Sequence, residues 1–453
     1  MSLPPTYTLS TDYFKDALDF LKNHQWVYNY PNTRILIQDI FAHMPPDWLR
    51  YFQDLPNSEL NKLPLNRMKS PPSSLKELLD KIDRLKPDLE NEITPEVNKF
   101  QFLHNSCLSD KKRHEIVVLA PVINNICKDI RAQLVVDIGS GLGYLSHHLH
   151  STFKYKVLGI ESSKEYVEIS LKNQSKFHPD SKDEVKFIDH FITTESNETL
   201  RSIIESNFDS LGLQSTCLAG LHACADLSVT VLDLFTKLDF VKGLVIMPCC
   251  YHRLKLKSEE PTEEYFHNFP ISDALKDIYK QFTAATFLRR PFLRLACQNT
   301  SGNFVGMSQE EHEIHARNLM FRCILQLVAE TENYSVKRTK RKSNRSAGAS
   351  NANFENYLTN FENTHELKEN SDHQVADDKF KEKMRRIWKQ YEGKCHLMNA
   401  LIGLQASLQK ICENLILLDR VEYLKEKGFN ARVQKVTNDL LSPRCYALIC
   451  TRR

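Results

Sequence analysis

The chain has 453 residues, with 60 Lys and Arg set against 57 Asp and Glu for a formal net charge of +3. That length predicts two or three folding units rather than one, and the near-balance of charge excludes a surface dominated by nucleic-acid-binding cations. The opening MSLPPTYTLS lacks the charged, apolar and small-residue order of a signal peptide, and no apolar run reaches membrane-spanning length. The twelve cysteines are therefore expected as reduced thiols in the cytosol or nucleus, with no membrane partner.

Residues 1–100 predict an N-terminal helical domain. Thr11 or Asp12 can cap a helix that carries Phe14, Ala17, Leu18, Phe20 and Leu21 on one side. Breaks at Pro45-Pro46, Leu63-Pro64 and Pro71-Pro72 separate short apolar faces, and Leu75 to Leu85 has the clearest helical period. Trp26 and Trp48 read as core anchors. The run Lys111, Lys112, Arg113, His114, Glu115 opens an apolar helix, Ile116 to Ile130. Lys112 or His114 either faces a ligand cleft or belongs to a solvated helix end.

The centre of the chain is LVVDIGSGLG, residues 134–143. Leu134, Val135, Val136 and Ile138 around Asp137 predict a strand buried on both faces, as in the middle of a parallel sheet. Gly139, Ser140, Gly141 and Gly143 form the turn into a helix that starts at Tyr144. Glycine lets a ligand approach that close to backbone. A second strand, Lys156 to Ile160, ends in Glu161, about 20 residues on, where such folds place the carboxylate that grips a ribose. The pattern Gly-x-Gly-x-Gly behind an acid resembles motif I of the S-adenosylmethionine-dependent methyltransferases with a Rossmann-like core, whose ligand carries a sulfonium and an amino-acid tail. The bland reading is another nucleotide fold or an unliganded turn.

Helix and strand then alternate. Val185 to Ile188 leads to Asp189, a candidate adenine contact. Cys217 to Leu221 leads to His222, Cys224 and Asp226. Gly243 to Met247 leads to Cys249, Cys250 and His252. These six residues all fall at carboxyl ends of strands, where an open parallel sheet keeps its ligand crevice. They can form an acceptor pocket in which His222 or His252 removes a proton, they can bind zinc, or they can be buried structure. A nucleophilic cysteine is a further candidate. Metal is disfavoured at this stage, because adjacent Cys249 and Cys250 point to opposite sides of an extended chain. Asp226 can equally be the cap of the helix that follows.

The segments LSDKKRHEI, VVDIGSGLGYLSHHL, GLHACADLS, PCCYHRL and LLSPRCYALI together resemble the methyltransferase-like protein 25 family, which includes the relative named for a ribosomal-RNA adenine dimethylase domain. The resemblance implies an S-adenosylmethionine-dependent methyltransferase with S-adenosyl-L-methionine as cofactor. The glycine turn and the strand ends make Asp137, Gly139, Ser140, Gly141, Gly143, Glu161 and Asp189 the candidate cofactor contacts, and His222, Cys224, Asp226, Cys249, Cys250 and His252 the candidate catalytic residues. The resemblance does not name the acceptor (RNA, protein or small molecule) or the oligomeric state. Adenine dimethylases present Asn-(Leu/Ile)-Pro-(Tyr/Phe) after strand four, and here Leu221-His222-Ala223-Cys224 lacks those acceptors. Ala225 also stands where the family has glycine. The rival class is a non-catalytic binding module that keeps the cofactor fold.

Beyond His252 the alternation stops. Residues from Lys337 to about Asp378 are basic and rich in Ser and Asn, with isolated aromatics, and predict a disordered stretch that either touches RNA, serves nuclear import or is solvated linker. A long helix over Leu397 to Leu418 and two strands, Ala431 to Val436 and Cys445 to Cys450, complete the expectation. The fold class is thus α/β: a Rossmann-like seven-stranded methyltransferase sheet with an N-terminal helical domain and a partly disordered insertion between strands five and six. The boundaries are 1–100, 101–255 for the cofactor-binding core, 256–394 for the insertion (about 335–378 disordered) and 395–453.

Overall fold

The computed structural model describes residues 3–87, 108–208, 215–258, 265–282, 287–297, 300–338, 353–369, 378–437, 439–440 and 442–452. These residues form two compact units, each discontinuous in sequence. One comprises residues 1–20, 84–300 and 410–453, and the other residues 21–83 and 301–409.

The first unit is built on a seven-stranded sheet. Its strands are β1 (Leu134–Ile138), β2 (Lys156–Glu161), β3 (Val185–Asp189), β4 (Thr216–Cys224) and β5 (Val241–Cys249). Past the second unit's two-stranded sheet, β6 (Tyr334–Arg338) and β7 (His365–Glu369), come β8 (Asn430–Lys435) and β9 (Tyr446–Thr451). The order in space is β3-β2-β1-β4-β5-β9-β8. β1 pairs in parallel with β2 and β4, β2 with β3 and β4 with β5, while β9 runs antiparallel to both β5 and β8. The sequence-based seven-strand α/β sheet with an antiparallel closing pair is therefore the observed one.

β1 is buried at every position because the sheet is covered on both faces. Leu134, Val136 and Ile138 join one apolar cluster with Leu200, Leu232, Phe235 and Leu424. Val135, pointing the other way, joins Ile123, Leu145, Leu149 and Phe187. The period-two alternation of a strand thus divides a uniformly apolar run between two cores. The Asp110–Asp129 helix covers the second face, with Ser109 Oγ capping it by accepting from Lys112 N.

In the second unit, residues 21–83 fold together with residues 301–409. Gln405 Nε2 donates to Val27 O at 2.9 Å, Cys323 Sγ to Asn32 O at 3.1 Å and Asn61 Nδ2 to Met307 O at 2.9 Å. The expected boundary at residue 100 lies outside the described residues. Trp48 is buried 6.2 Å from the Trp26 ring, and its Nε1 donates to Ser74 Oγ. Within the stretch expected to be disordered, residues 334–338 and 353–369 instead form β6, the Phe354–Asn360 helix and β7. The reason is that the aromatics there are isolated in sequence only. Phe354 stacks on Trp388 at 5.2 Å and meets Phe321 at 5.0 Å, and Tyr357 lies 5.3 Å from Phe321. Most of the basic cluster, residues 339–352, and residues 370–377 lie outside the described residues. No helix among the described residues is long and apolar enough to cross a membrane.

Candidate functional site

A cavity of about 470 Å³ lies beyond the carboxyl ends of β1 to β4, where an open α/β sheet places its ligand. Ile138 and Gly139 from β1, Ile160 and Ser162 from β2, His190 to Thr194 after β3, and Cys224, Ala225 and Asp226 after β4 line it. Lys255, His267 and Asn268 close one side.

The glycine turn is fastened to β2, since Gly139 N and Ser140 N both donate to Ile160 O, at 2.8 and 3.1 Å. Gly139, Gly141 and Gly143 all have positive φ (72°, 57° and 76°), which explains why three glycines occur there. Of the residues expected to hold a cofactor, Gly139 lines the cavity. Asp137, Ser140, Gly141, Gly143, Glu161 and Asp189 do not. Asp137 is fully buried below the turn and accepts from Ser146 Oγ at 2.7 Å, and burial pushes its carboxyl up to about 6. Glu161 accepts Gly141 N at Oε2 and Ser163 N at Oε1, both at 3.0 Å, so it braces the turn, with a lone pair left on Oε2. Ser140 Oγ is buried and has no hydrogen-bond partner among the described residues. Asp189 is exposed, and its neighbour His190 takes the cavity wall instead. Phe191 beside it is 68% exposed, an aromatic surface left open at the rim.

The six residues expected to be catalytic fall into four separate surroundings. Cys224, Cys249 and Cys250 converge, with Sγ atoms 3.1 Å (224 to 249) and 3.8 Å (224 to 250) apart. The expectation that adjacent cysteines diverge is corrected. The chain leaves its extended form at Cys250, whose φ of 54° and ψ of 39° swing the thiol back over Cys249. Hydrogen bonds from Cys224 and then Cys249 pull the Cys250 thiol well below its ordinary range, and hydrogen bonds from Cys224 and then Cys250 hold Cys249 high.

His222 points elsewhere. Its Nε2 lies 3.4 Å from Glu115 Oε2 and its buried Nδ1 has no partner. Burial, then Arg444, holds it near 4, so it is a neutral imidazole at pH 7. His252 Nδ1 lies 3.0 Å from Cys297 Sγ; burial lowers the imidazole and raises that thiol to about 11. That pair is neutral and is not an activated nucleophile. Asp226 is not the helix cap. The cap is Ala225, at φ 49° and ψ −126°, and Asp226 instead accepts Lys255 N (3.1 Å) and Asn268 Nδ2 (2.7 Å), which ties the loop after β5 to the cavity. Lys112 lies over the Tyr144 ring at 5.1 Å, and His114 Nε2 bonds Thr437 Oγ1 at 2.6 Å, so neither is a free solvated end.

Sequence reasoning missed Glu115, Arg444 and Arg420. Glu115 is 1% exposed, accepts Ser442 Oγ at 2.5 Å and faces Arg444 Nη1 at 3.5 Å. Arg444 also bonds Cys249. The SPRC segment that supplies Ser442 and Arg444 was the available signal, but about 200 residues separate it from the ends of β4 and β5. All eleven cysteines among the described residues are free thiols.

Residues 111–257 match the family described as a methyltransferase domain. "Probable methyltransferase-like protein 25" of Homo sapiens is 28% identical over 271 residues, 58% of this chain and 40% of that protein. The Mus musculus protein of the same name is 28% identical over 273 residues with the same coverages. The chain thus spans about two fifths of the length of these curated relatives. Among solved structures, M. capricolum TrmK in complex with S-adenosyl-homocysteine is similar at 22% identity, covering 28% of this chain and 50% of that one, TM-score 0.20. Magnesium protoporphyrin IX methyltransferase from Synechocystis PCC 6803, with bound SAH, is similar at 14% identity, covering 53% and 85%, TM-score 0.22. This chain therefore carries a methyltransferase domain and is similar, over more than half its length, to methyltransferase-like protein 25.

Proposed function

We propose that the chain is an S-adenosyl-L-methionine-dependent methyltransferase that acts on RNA or protein. The observation that carries this reading is the cavity at the carboxyl ends of β1 to β4, set against a glycine turn in a sheet whose last strand is antiparallel. The residues present fit such a cofactor. Gly139 offers backbone at the wall, Ser140 Oγ is an unpartnered polar atom in the turn, and Ser162 and His190 stand one residue beyond the acids that end β2 and β3. Glu161, held by two backbone N–H groups at the end of β2, keeps one lone pair spare that would be available to a ribose hydroxyl. When bound, the cofactor supplies an electrophilic methyl group on a sulfonium.

The protein's own work is alignment and exclusion of water. Asp226 holds the Lys255 and Asn268 segment against the cavity, and the open ring of Phe191 offers a stacking face at its mouth. Neutral His222 and His252 do not depend on deprotonation at neutral pH to accept a proton, but each faces a protein partner rather than the cavity lining.

Titration calorimetry of the full chain, freed of any co-purified ligand, is expected to show saturable one-to-one binding of S-adenosylmethionine. Binding should be weakened at least tenfold by Gly139→Val. Absence of binding by the folded chain refutes the reading and leaves the non-catalytic module. Labelled cofactor incubated with cell extract then assigns the acceptor, by whether the label is RNase-sensitive or protease-sensitive.

A further inference from the structure

The meeting of Cys224, Cys249 and Cys250 is costly. Two non-glycine residues in left-handed backbone, Ala225 (φ 49°) and Cys250 (φ 54°), are what bring the ends of β4 and β5 into this arrangement. Such conformations cost about 1–3 kcal/mol each and persist where the surroundings demand them. Ala225 N donates to Cys249 O at 2.9 Å, locking the two strand ends together. All three sulfurs lie within 4.8 Å of one another. A tetrahedral zinc with Zn–S bonds of about 2.3 Å requires S···S edges of about 3.8 Å, and Cys224 to Cys250 already has that spacing at 3.8 Å.

The electrostatics point the same way. Arg420 is 1% exposed, and its Nη1 and Nη2 have no hydrogen-bond partner among the described residues. Its guanidinium lies over the Tyr251 ring at 5.0 Å, and the Asp419 carboxylate acts on it ahead of Cys249. Arg444, which faces Glu115 at 3.5 Å, also interacts with Cys249. A buried guanidinium without a partner is expensive unless negative charge stands near it. Three thiolates around a divalent cation carry one net negative charge, so a metal-bound cluster still interacts favourably with both arginines, on which Glu115 and Asp419 also act.

We propose that Cys224, Cys249 and Cys250 form a binding site for a thiophilic divalent cation, Zn²⁺ foremost. Three protein ligands with a fourth position left to water or an incoming ligand is the arrangement of open zinc sites. Cys224 also lines the cavity. Arg444, held by Glu115, is the positioning residue behind the ligands. The proposal stands on the thiols and does not depend on whether S-adenosylmethionine binds.

The test uses the full chain, reduced, stripped with a chelator and titrated with Co²⁺ alone. One equivalent is expected to bind, with a thiolate-to-cobalt charge-transfer band, visible bands of a tetrahedral site, release of thiol protons and competition by Zn²⁺. Cys250→Ser should lower the charge-transfer intensity by about a third, the share of one thiolate in three. Arg444→Met should weaken metal affinity by about 10–100-fold while leaving the spectrum in place. Cys297→Ser, outside the set, should change neither stoichiometry nor spectrum. The proposal is overturned if the folded, reduced chain shows no charge-transfer band, or if Cys224→Ser/Cys249→Ser/Cys250→Ser retains it. A Cys297→Ser variant that loses the band overturns the ligand set. Circular dichroism of each metal-free variant against metal-free wild type separates lost ligands from lost fold, and the single Cys250→Ser change, at a half-buried position, keeps the test open if the triple variant unfolds.

Discussion

The three glycines of the turn make different demands, and substituting each by alanine separates them. At Gly141, φ is 57° and an added Cβ meets nothing within 4 Å, so Gly141→Ala should cost only the left-handed strain, about 1–2 kcal/mol. At Gly143, φ is 76° and the Cβ would lie 2.4 Å from Phe187 Cζ and 2.7 Å from Cε1. Carbon contacts are comfortable at roughly 3.5–4.0 Å, so the ring must move about 1 Å. It has little room to do so. Phe187 is buried, its ring meets His147 at 5.3 Å, and a Cβ at Gly159 would likewise lie 2.6 Å from its Cδ1. Overpacking of this kind costs about 1–3 kcal/mol, which brings Gly143→Ala to roughly 2–5 kcal/mol in total. Urea unfolding of the two variants should therefore differ by about 1–3 kcal/mol. Adding Phe187→Leu to Gly143→Ala should recover part of the loss as a coupling of at least about 0.5 kcal/mol. If the two alanine variants are equally stable, the ring does not limit the turn and the argument fails.

Two further outcomes follow from the geometry. Ala225→Gly removes the strain of φ 49°, ψ −126° at the cost of a freer unfolded chain, and should stabilise the protein by about 1 kcal/mol in denaturant titration; a loss of stability would show that the alanine methyl matters more than the backbone. Burial holds His147 down to about 3 from an ordinary 6.5, so between these values the unfolded chain binds a proton that the native chain refuses. Stability contributed there is complete above pH 6.5 and is lost as pH falls, by about 1.4 kcal/mol per pH unit. Asp137, raised to about 6, acts oppositely, since its native form keeps a proton between pH 3.8 and 6 and its contribution fades as pH rises. His147→Phe should thus make the pH 4–6 stability slope shallower by about one proton's worth, and an unchanged slope refutes the assignment.

The sheet was legible because its signals are local. A buried strand needs a run such as Leu134 to Ile138, a turn with positive φ needs glycine, and the alternation that follows leaves few arrangements open. The Leu397 to Leu418 period likewise found its helix, observed as Cys395–Glu426. Which candidate residues stand at strand ends was legible, but how their side chains are arranged was not. Strand ends identified the residues, but Glu161 turned inward on Gly141 N, His252 found Cys297, and His222 found Glu115. None of these partners is set by spacing in the sequence.

What the sequence determined by itself is the strand, the glycine turn and the order of elements, because hydrophobic period and φ > 0 are properties of a few consecutive residues. What only the tertiary structure decided is where side chains aim. One left-handed residue, Cys250, reversed the expected divergence of two neighbouring thiols, and Arg420 and Arg444 reached the same cluster from the far end of the chain. Backbone dihedrals at strand ends and contacts between distant segments are fixed only when the whole core closes, and there the chemistry of this protein was settled.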